Sequence, residues 1–171
     1  MSFALSSFAP FYSDLNPFID AKHAQFLNAD MPLEITLRKD NDTDVHSVED
    51  EQLIAYIPFT QSVKMHEIRI RAPQDGTQPS RVLIFLNKKN MSFNDVGYTT
   101  PTQAFTLSPE HWKNGVCTML LKPVLFHNVQ FLTIFVDDNV GHSDSTTITS
   151  MQFLGSTVGD MNVKALKKCV T

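Results

Sequence analysis

Histidine and cysteine residues, which carry much of the metal and nucleophilic chemistry in proteins, are spread singly along this sequence. No two of them form a His-x-His, His-Glu-x-x-His or Cys-x-x-Cys arrangement, so the spacing of a zinc site or a redox pair is missing. There is no Gly-x-Ser-x-Gly segment and no glycine-rich phosphate loop. We therefore predict no enzyme, no metal and no cofactor. The residues in question are His23, His46, His66, His111, His127, His142, Cys117 and Cys169.

The absence of these motifs does not exclude nucleophilic catalysis, because a catalytic triad is defined by geometry rather than by spacing. A hydrolase therefore stays an alternative that no motif supports. Two acidic stretches also resemble oxygen-rich calcium loops, Asp137-Asp138-Asn139-x-Gly141 and residues 40–44. Neither has the alternating ligands and closing glutamate of an EF-hand. Asn-x-Gly after a strand is typical of a turn, so we interpret the first stretch as a turn and the second as a polar acidic loop, and we keep a structural calcium as the alternative.

The exposed surface is the remaining source of function. An alternating strand over residues 63–71 would place Met65, Glu67, Arg69 and Arg71 on one face. Two arginines on a strand can present forked donors to a partner's carboxylates, and cross-strand ion pairs are the alternative use. We expect partner contacts from these arginines and from two polar segments. The candidate partner-binding residues are Asp50, Glu51, Gln52, Arg69, Arg71, Asp138 and Asn139.

Composition limits the class of protein. The 171 residues suit one domain, and 42% hydrophobic with 19% charged residues are values of a globular chain. The net charge of −4, without a basic stripe, argues against nucleic-acid binding. No apolar run reaches the roughly 20 residues of a membrane-spanning helix, and the N-terminus lacks the basic start of a signal peptide. We expect a monomer with reduced thiols, in the cytoplasm with the nucleus as a second compartment.

Short strands separated by turn signals dominate the pattern. Leu53, Ala55, Ile57 and Phe59 alternate with a period of two, which predicts a strand over residues 53–59 and a polar corner closed by Pro58 and Gln61. Residues 81–87 are apolar on both faces, which predicts a central strand. Further strands are predicted at residues 63–71, 103–107, 116–121, 124–126, 131–136 and 146–154. Helical turns are predicted at residues 21–27, 108–112 and 160–168. This strand-rich order without βα alternation predicts an all-β sandwich.

Several blocks together resemble one known family. They are DLNPFID at residues 14–20, FLN at 26–28, DEQLIAYIPFTQSVK at 50–64, RVLIFLN at 81–87 and LTIFVDDNVG at 132–141. In order and content this set resembles the PITH domain, a proteasome-interacting module first met at the C-terminus of a thioredoxin-like protein. The resemblance implies a galactose-binding-domain-like, jelly-roll β-sandwich over residues 14–162, with flexible tails at 1–13 and 163–171.

The resemblance also implies a function. It implies a non-catalytic module that docks on subunits of the proteasome regulatory particle through loops at one end of the sandwich. The chain lacks the cysteine pair of a thioredoxin domain, so no reductase activity is expected. The alternative is a carbohydrate- or other small-ligand-binding sandwich, because relatives of this fold bind sugars through aromatic platforms. Tyr12, Tyr98 and Trp112 combine an aromatic face with a polar tip, although Trp112 is expected to pack against the sheet.

Overall fold

The computed structural model describes residues 12–158, which contain ten strands and a few short helical turns. The predicted helix at residues 160–168, Cys169 and most of the predicted tails lie outside the described residues. No helix within the described range is long and apolar enough to cross a membrane. The elements are β1 (Ser13–Asp14), a 3-10 turn (Asn16–Phe18), β2 (Gln25–Leu27), α1 (Leu33–Thr36), β3 (Val45–His46), β4 (Leu53–Arg71), β5 (Pro79–Leu86), α2 (Phe93–Val96), β6 (Gln103–Thr106), a 3-10 turn (Pro109–His111), β7 (Val116–Leu120), β8 (Val129–Asn139), β9 (Thr147–Ile148) and β10 (Ser150–Thr157).

The long strand β4 belongs to both layers of a sandwich. Its first half pairs with β2 on one side and β8 on the other, and its second half pairs with β10 and β7. All these pairings are antiparallel, and the register with β8 shifts between Pro58 and Val63. The sequence predicts two strands with a corner between them. The structure instead has one strand of 19 residues, with its irregularity where the corner was expected.

The first layer has the strand order β2-β4-β8-β5-β6, and the second has the order β1-β10-β4-β7. Alternate residues of each layer are buried in one shared core, as the two-residue period of a strand requires. The fold is thus the predicted all-β sandwich. The main core residues of the two layers are Leu53, Ala55, Ile57, Val82, Ile84, Leu132 and Ile134 from the first, and Ile68, Ile70, Cys117, Met119, Met151 and Phe153 from the second.

Strand β5 is buried on both faces. Val82 and Ile84 belong to the main core, whereas Leu83 and Phe85 pack in a second cluster with Val96 of α2 and other apolar residues. The strand lies between β8 and β6. The prediction of a central strand at residues 81–87 is confirmed.

A β-bulge at His66 changes which face of β4 each side chain occupies. Glu67 pairs with Leu154 and Met65 pairs with Gly155, so His66 is an extra residue opposite the step from Leu154 to Gly155. One inserted residue reverses the alternation. Met65 is therefore fully buried in the core together with Ile68. The prediction that Met65 shares an exposed face with Arg69 is wrong.

Two further predicted elements differ from the structure. Residues 21–27 form a turn followed by β2 instead of a helix, because Phe26 and its neighbours hydrogen-bond along the edge of β4. Residues 124–126 lie in a turn instead of a strand, with the Leu125 amide donating to the Lys122 carbonyl at 3.0 Å. The 3-10 turn at Pro109–His111 confirms the helical turn predicted there. Asn114 and Gly115 both have positive φ, at 55° and 77°, and form the predicted tight turn.

Candidate functional site

Two of the predicted polar segments meet at one end of the sandwich. Gln52, just before β4, donates from Nε2 to Oδ1 of Asp137 in β8 at 3.0 Å. Oγ1 of Thr146 donates to the Glu51 carbonyl at 2.6 Å and also accepts from Nδ2 of Asn139 at 3.1 Å. Backbone contacts between Ala29 and Ser47 and between Gly76 and Gly141 add two further segments, and we call the surface of residues 28–30, 47–52, 75–78 and 137–146 the loop end.

Asn28 holds the first of these segments in place. It has positive φ, at 65°, which asparagine tolerates better than most residues. Its Nδ2 donates to the Gln52 carbonyl at 2.7 Å and to Oδ1 of Asp50 at 2.8 Å, and its Oδ1 accepts from the Glu49 amide at 3.0 Å. The backbone of residues 49–52 is therefore fixed, while the side chains of Glu49 and Asp50 stay exposed.

Asn139 does the same for the second segment, and it is fully buried. Its Nδ2 donates to the carbonyls of Ser143, at 2.9 Å, and Ser145, at 3.3 Å, and its Oδ1 accepts from the Ser143 amide at 2.8 Å. A side chain engaged in this way organises the loop and is not available to a partner. Asn139 was predicted to bind a partner from its position alone, and its contacts are structural.

The carboxylates of the loop end are mostly bonded to donors of this chain. Oδ2 of Asp138 lies 2.7 Å from Nδ1 of His142, and Oδ2 of Asp137 lies 3.6 Å from Nε of Arg81. Hydrogen bonds from the Thr77 hydroxyl and amide hold the pKa of Asp75 below its ordinary value. Within residues 12–158, no three His, Cys, Asp or Glu side chains converge as metal ligands would.

Arg69 and Arg71 lie elsewhere, on the outer face of the second layer. They line a cavity of about 320 Å³ that we call the arginine cavity, formed by Arg38, Lys39, Arg69 and Arg71 with Asp14 and Asp40. The Arg71 guanidinium donates to the Asn41 carbonyl. Nε of Arg69 donates to Oε2 of Glu67 at 3.0 Å. The structure thus brings the two predicted arginines together with two cations that the sequence did not single out.

An aromatic groove of about 590 Å³ lies beside the irregular part of β4. The half-buried rings of Tyr56 and Phe131 have centroids 6.0 Å apart, and Nζ of Lys89 lies 5.1 Å from the Phe131 centroid. Burial raises the pKa of the Tyr56 hydroxyl. We use the name aromatic groove for the surface of Tyr56, Phe59 and Phe131 with the amide side chains of Gln25, Gln61 and Gln130.

The three aromatic residues predicted as sugar platforms lie apart from this groove. Trp112 is only 3% exposed and packs in the main core, as expected from the sequence. Tyr12 stacks on His66 with ring centroids 4.0 Å apart. Tyr98 is 95% exposed. None of the three lines the groove, and the rings that do carried no signal beyond their places in apolar strands.

Asparagine at the end of a block is the signal that could have identified the fastening residues. Asn16, Asn28, Asn87 and Asn139 each end or interrupt one of the blocks that carry the family resemblance. The first three bond through their side chains to backbone groups of another segment, and Asn139 bonds to the backbone of the loop that follows it. Arg38 and Lys39 had no comparable signal, because they reach the arginine cavity only through the position of α1.

Comparison with known proteins agrees with this architecture. The chain is 31% identical over 172 residues to Thioredoxin-like protein 1 of Schizosaccharomyces pombe, covering 96% of this chain and 59% of the relative. It is 34% identical to the human PITH domain-containing protein 1 over 65% of this chain and 51% of that one. The chain thus spans about half the length of the relatives it matches, and the human relative is named for its domain rather than for a reaction.

Solved structures similar to this one include carbohydrate-binding modules. The family 32 module of NanJ from C. perfringens, in complex with galactose, matches with a TM-score of 0.63 at 11% identity, covering 84% of this chain and 99% of that one. The CBM32-1 and CBM32-2 domains of ZmpB from Clostridium perfringens match with a TM-score of 0.64 at 12% identity, covering 91% and 39%. At this identity the likeness shows the fold alone, a galactose-binding-like β-sandwich. The family model for the PITH domain matches residues 8–169, and the chain therefore belongs to the PITH domain family.

Proposed function

We propose that this chain is a non-catalytic protein-interaction module that docks on the proteasome regulatory particle through the loop end. Family membership supports the partner, since PITH denotes a proteasome-interacting module. The observation that carries the choice of surface is the meeting of residues 50–52 with residues 137–139, joined by the bond from Gln52 to Asp137. We propose the cytoplasm, with the nucleus as a second compartment, as the place where this happens.

The loop end suits docking because its backbone is fixed before a partner arrives. Asn28 and Asn139 hold the two segments, so little conformational entropy is lost on binding. The side chains of Glu49, Asp50 and Asp144 remain exposed, and they would face lysine or arginine residues of the partner. Exposed charges of this kind contribute mainly to the association rate and to specificity.

Affinity capture from cell lysate tests this proposal. The tagged chain is compared with a Glu49→Lys/Asp144→Lys variant. The two replaced carboxylates are exposed and do not hold the loops in place. The captured regulatory-particle subunits are quantified by mass spectrometry. The matched control is Asp42→Lys/Glu110→Lys, which changes the net charge equally at exposed positions outside the loop end. We expect the subunits to be lost only with the first variant. If the wild-type chain captures no more subunits than an empty tag, the proposed partner is wrong. If both variants lose the subunits equally, the loop end is not the docking surface.

A second candidate function is sugar binding in the aromatic groove. The observation that favours it is the combination of three half-buried rings with three glutamine side chains, since rings pack on sugar faces and amides bond to hydroxyls. The galactose complex among the structural neighbours makes galactose the first ligand to titrate. The backbone amides of Gln25, Gln61 and Gln130 are followed by NMR, because buried Trp112 cannot report. Shifts that saturate and disappear in Gln61→Ala/Lys89→Ala support the idea, and an unchanged spectrum removes it.

A further inference from the structure

The arginine cavity contains an arginine whose donors are not all used. Arg71 lines the cavity and donates to the Asn41 carbonyl, but its Nε is buried and has no hydrogen-bond partner among the described residues. A guanidinium carries five N–H donors, and buried donors in native proteins are nearly always paired. Within residues 12–158, the hydrogen-bonding capacity of this guanidinium is therefore only partly used.

Side-chain hydrogen bonds join the chain segments that line the arginine cavity. Nδ2 of Asn16 donates to the carbonyls of Leu37, at 3.1 Å, and Met151, at 3.0 Å. Nδ2 of Asn41 donates to the Thr149 carbonyl at 2.7 Å. These bonds tie the segment that carries Arg38 and Lys39 to the strand β10 beside Arg69 and Arg71. The backbone that carries these cationic side chains is thus held in place before a ligand binds, which reduces the entropy lost on binding.

The charges of the cavity favour a monoanionic acceptor. Arg38 and Arg69 have acidic neighbours, with Glu34 at 3.4 Å and Glu67 at 3.0 Å. Lys39 and Arg71 form no ion pair within residues 12–158, and the carboxylates of Asp14 and Asp40 lie in the same lining. The two carboxylates would repel a dianionic phosphate monoester more than a carboxylate. The planar fork of arginine matches the two oxygens of a carboxylate.

The size of the cavity limits the ligand. At about 320 Å³ it stands at the lower end of ligand pockets, with room for one or two side chains and not for a nucleotide cofactor. We propose that the arginine cavity binds glutamate or aspartate side chains from an acidic peptide segment of a partner protein. This site is separate from the loop end, because neither Asp50, Gln52 nor Asp138 lines it.

Titration of the full chain with an acetylated, amidated tetraglutamate peptide tests the proposal, using calorimetry together with NMR of the arginine Nε–Hε signals. The comparison ligands are a tetraglutamine peptide, free glutarate and inorganic phosphate. We expect binding of tetraglutamate that weakens with added salt and shifts the Arg71 Nε–Hε signal. We expect no binding of tetraglutamine.

Variants at exposed positions place the contact without endangering the fold. Arg38→Gln/Lys39→Gln, which leaves the bond from Arg69 to the buried Glu67 intact, should weaken tetraglutamate binding by at least about tenfold, since charge-assisted hydrogen bonds are lost. Lys22→Gln/Lys113→Gln removes equal charge at exposed positions outside the cavity and should leave the affinity unchanged. Circular dichroism melting confirms that both double variants are folded.

Four outcomes overturn the inference. If tetraglutamine binds as tightly as tetraglutamate, the carboxylate is not the group recognised. If the two double variants have equal effects, the peptide does not bind in the arginine cavity. Tighter binding of inorganic phosphate than of tetraglutamate shows that the cavity selects phosphate and not carboxylate groups. Glutarate binding as tight as the peptide shows that the ligand is a small diacid and not a protein segment. The proteasome capture experiment reports on the loop end, so failure of one proposal is distinguishable from failure of the other.

Discussion

Gln52 and Asp137 lie 85 residues apart in the sequence, yet Nε2 of Gln52 donates to Oδ1 of Asp137 at 3.0 Å. The bond stands just beyond the pairing of Leu53 with Val136 and extends the ladder between β4 and β8 into the loop end. Asp137 also approaches Arg81 of β5, at 3.6 Å. Side-chain contacts thus join the neighbouring strands β4, β8 and β5 at the edge of the loop end. Because these contacts are within the chain, their contribution to stability can be measured without a partner.

Replacement of Asn139 by alanine should destabilise the fold by about 2–3 kcal/mol. The side-chain amide of Asn139 donates to the Ser143 carbonyl and to the Thr146 hydroxyl, and it accepts from the Ser143 backbone amide. Truncation to alanine leaves these three groups without that partner. Urea denaturation followed by circular dichroism gives the free energy of unfolding. Asn94→Ala, at an exposed position of α2, is the control and should change it by less than about 0.5 kcal/mol. Similar values for both variants would show that the Asn139 network contributes little.

Replacement of Gly155 by alanine should be among the most damaging small substitutions in the chain. A methyl group at this position would overlap with the Lys64 carbonyl oxygen, and the backbone of Met65 is also close. Because the obstacle is backbone, one of the paired strands must move, which should cost about 3 kcal/mol or more.

Gly97→Ala provides the matched control for this prediction. Nothing lies within 4 Å of the methyl group it would add, and its φ of −68° suits alanine. This variant should be neutral or stabilising by about 0.4–1 kcal/mol, since alanine restricts the unfolded chain. Thermal melting of both variants measures the difference. A Gly155→Ala protein as stable as the Gly97→Ala protein would mean that β10 can shift freely at the bulge.

The same bulge explains why the sequence predicts one half of β4 better than the other. Leu53, Ala55 and Ile57 alternate without interruption, and their burial follows from a period of two. Beyond the corner, His66 breaks the alternation, and the cause is Gly155 on another strand 89 positions later in the chain (155 − 66). A rule of local periodicity cannot include a distant partner, so Met65 was placed on the wrong face.

The site shows a similar division. The blocks at residues 50–52 and 137–139 were predicted to matter and do meet, although Asn139 serves the loop rather than a ligand. Arg69 and Arg71 were predicted from their spacing along a strand. Arg38 and Lys39 could not be, because their position depends on hydrogen bonds from Asn16 to Leu37 and Met151.

Stability should fall in mildly acidic solution because of His66. Burial, and then the positive charge of Lys64, lower the pKa of this histidine from its ordinary value of 6.5. The unfolded chain therefore binds a proton at a higher pH than the folded chain does. The contribution to stability is complete above about pH 7.5 and is lost progressively as the pH falls through 6.5 toward the lower folded-state pKa.

Urea denaturation across this pH range measures the effect, with His66→Phe as the comparison. Phenylalanine keeps a ring to stack on Tyr12 but has no proton to exchange. The part of the pH dependence that belongs to His66 should be absent in the variant. A variant with the same slope as the wild type would assign the pH dependence to other groups.

The thiol of Cys117 should be unreactive in the folded protein. Its side chain is buried in the main core opposite Ile70, as a free thiol, and burial raises its pKa from 9.0 to about 11. The thiolate is the reactive form, so both access and ionisation are restricted. In a Cys169→Ser variant, which isolates this residue, Ellman's reagent at mildly alkaline pH should label the native protein only as fast as it unfolds. The same variant in concentrated guanidinium chloride should react completely and at once. Labelling of the native variant at the rate of a small thiol would show that the second layer opens around β7 far more readily than its packing indicates.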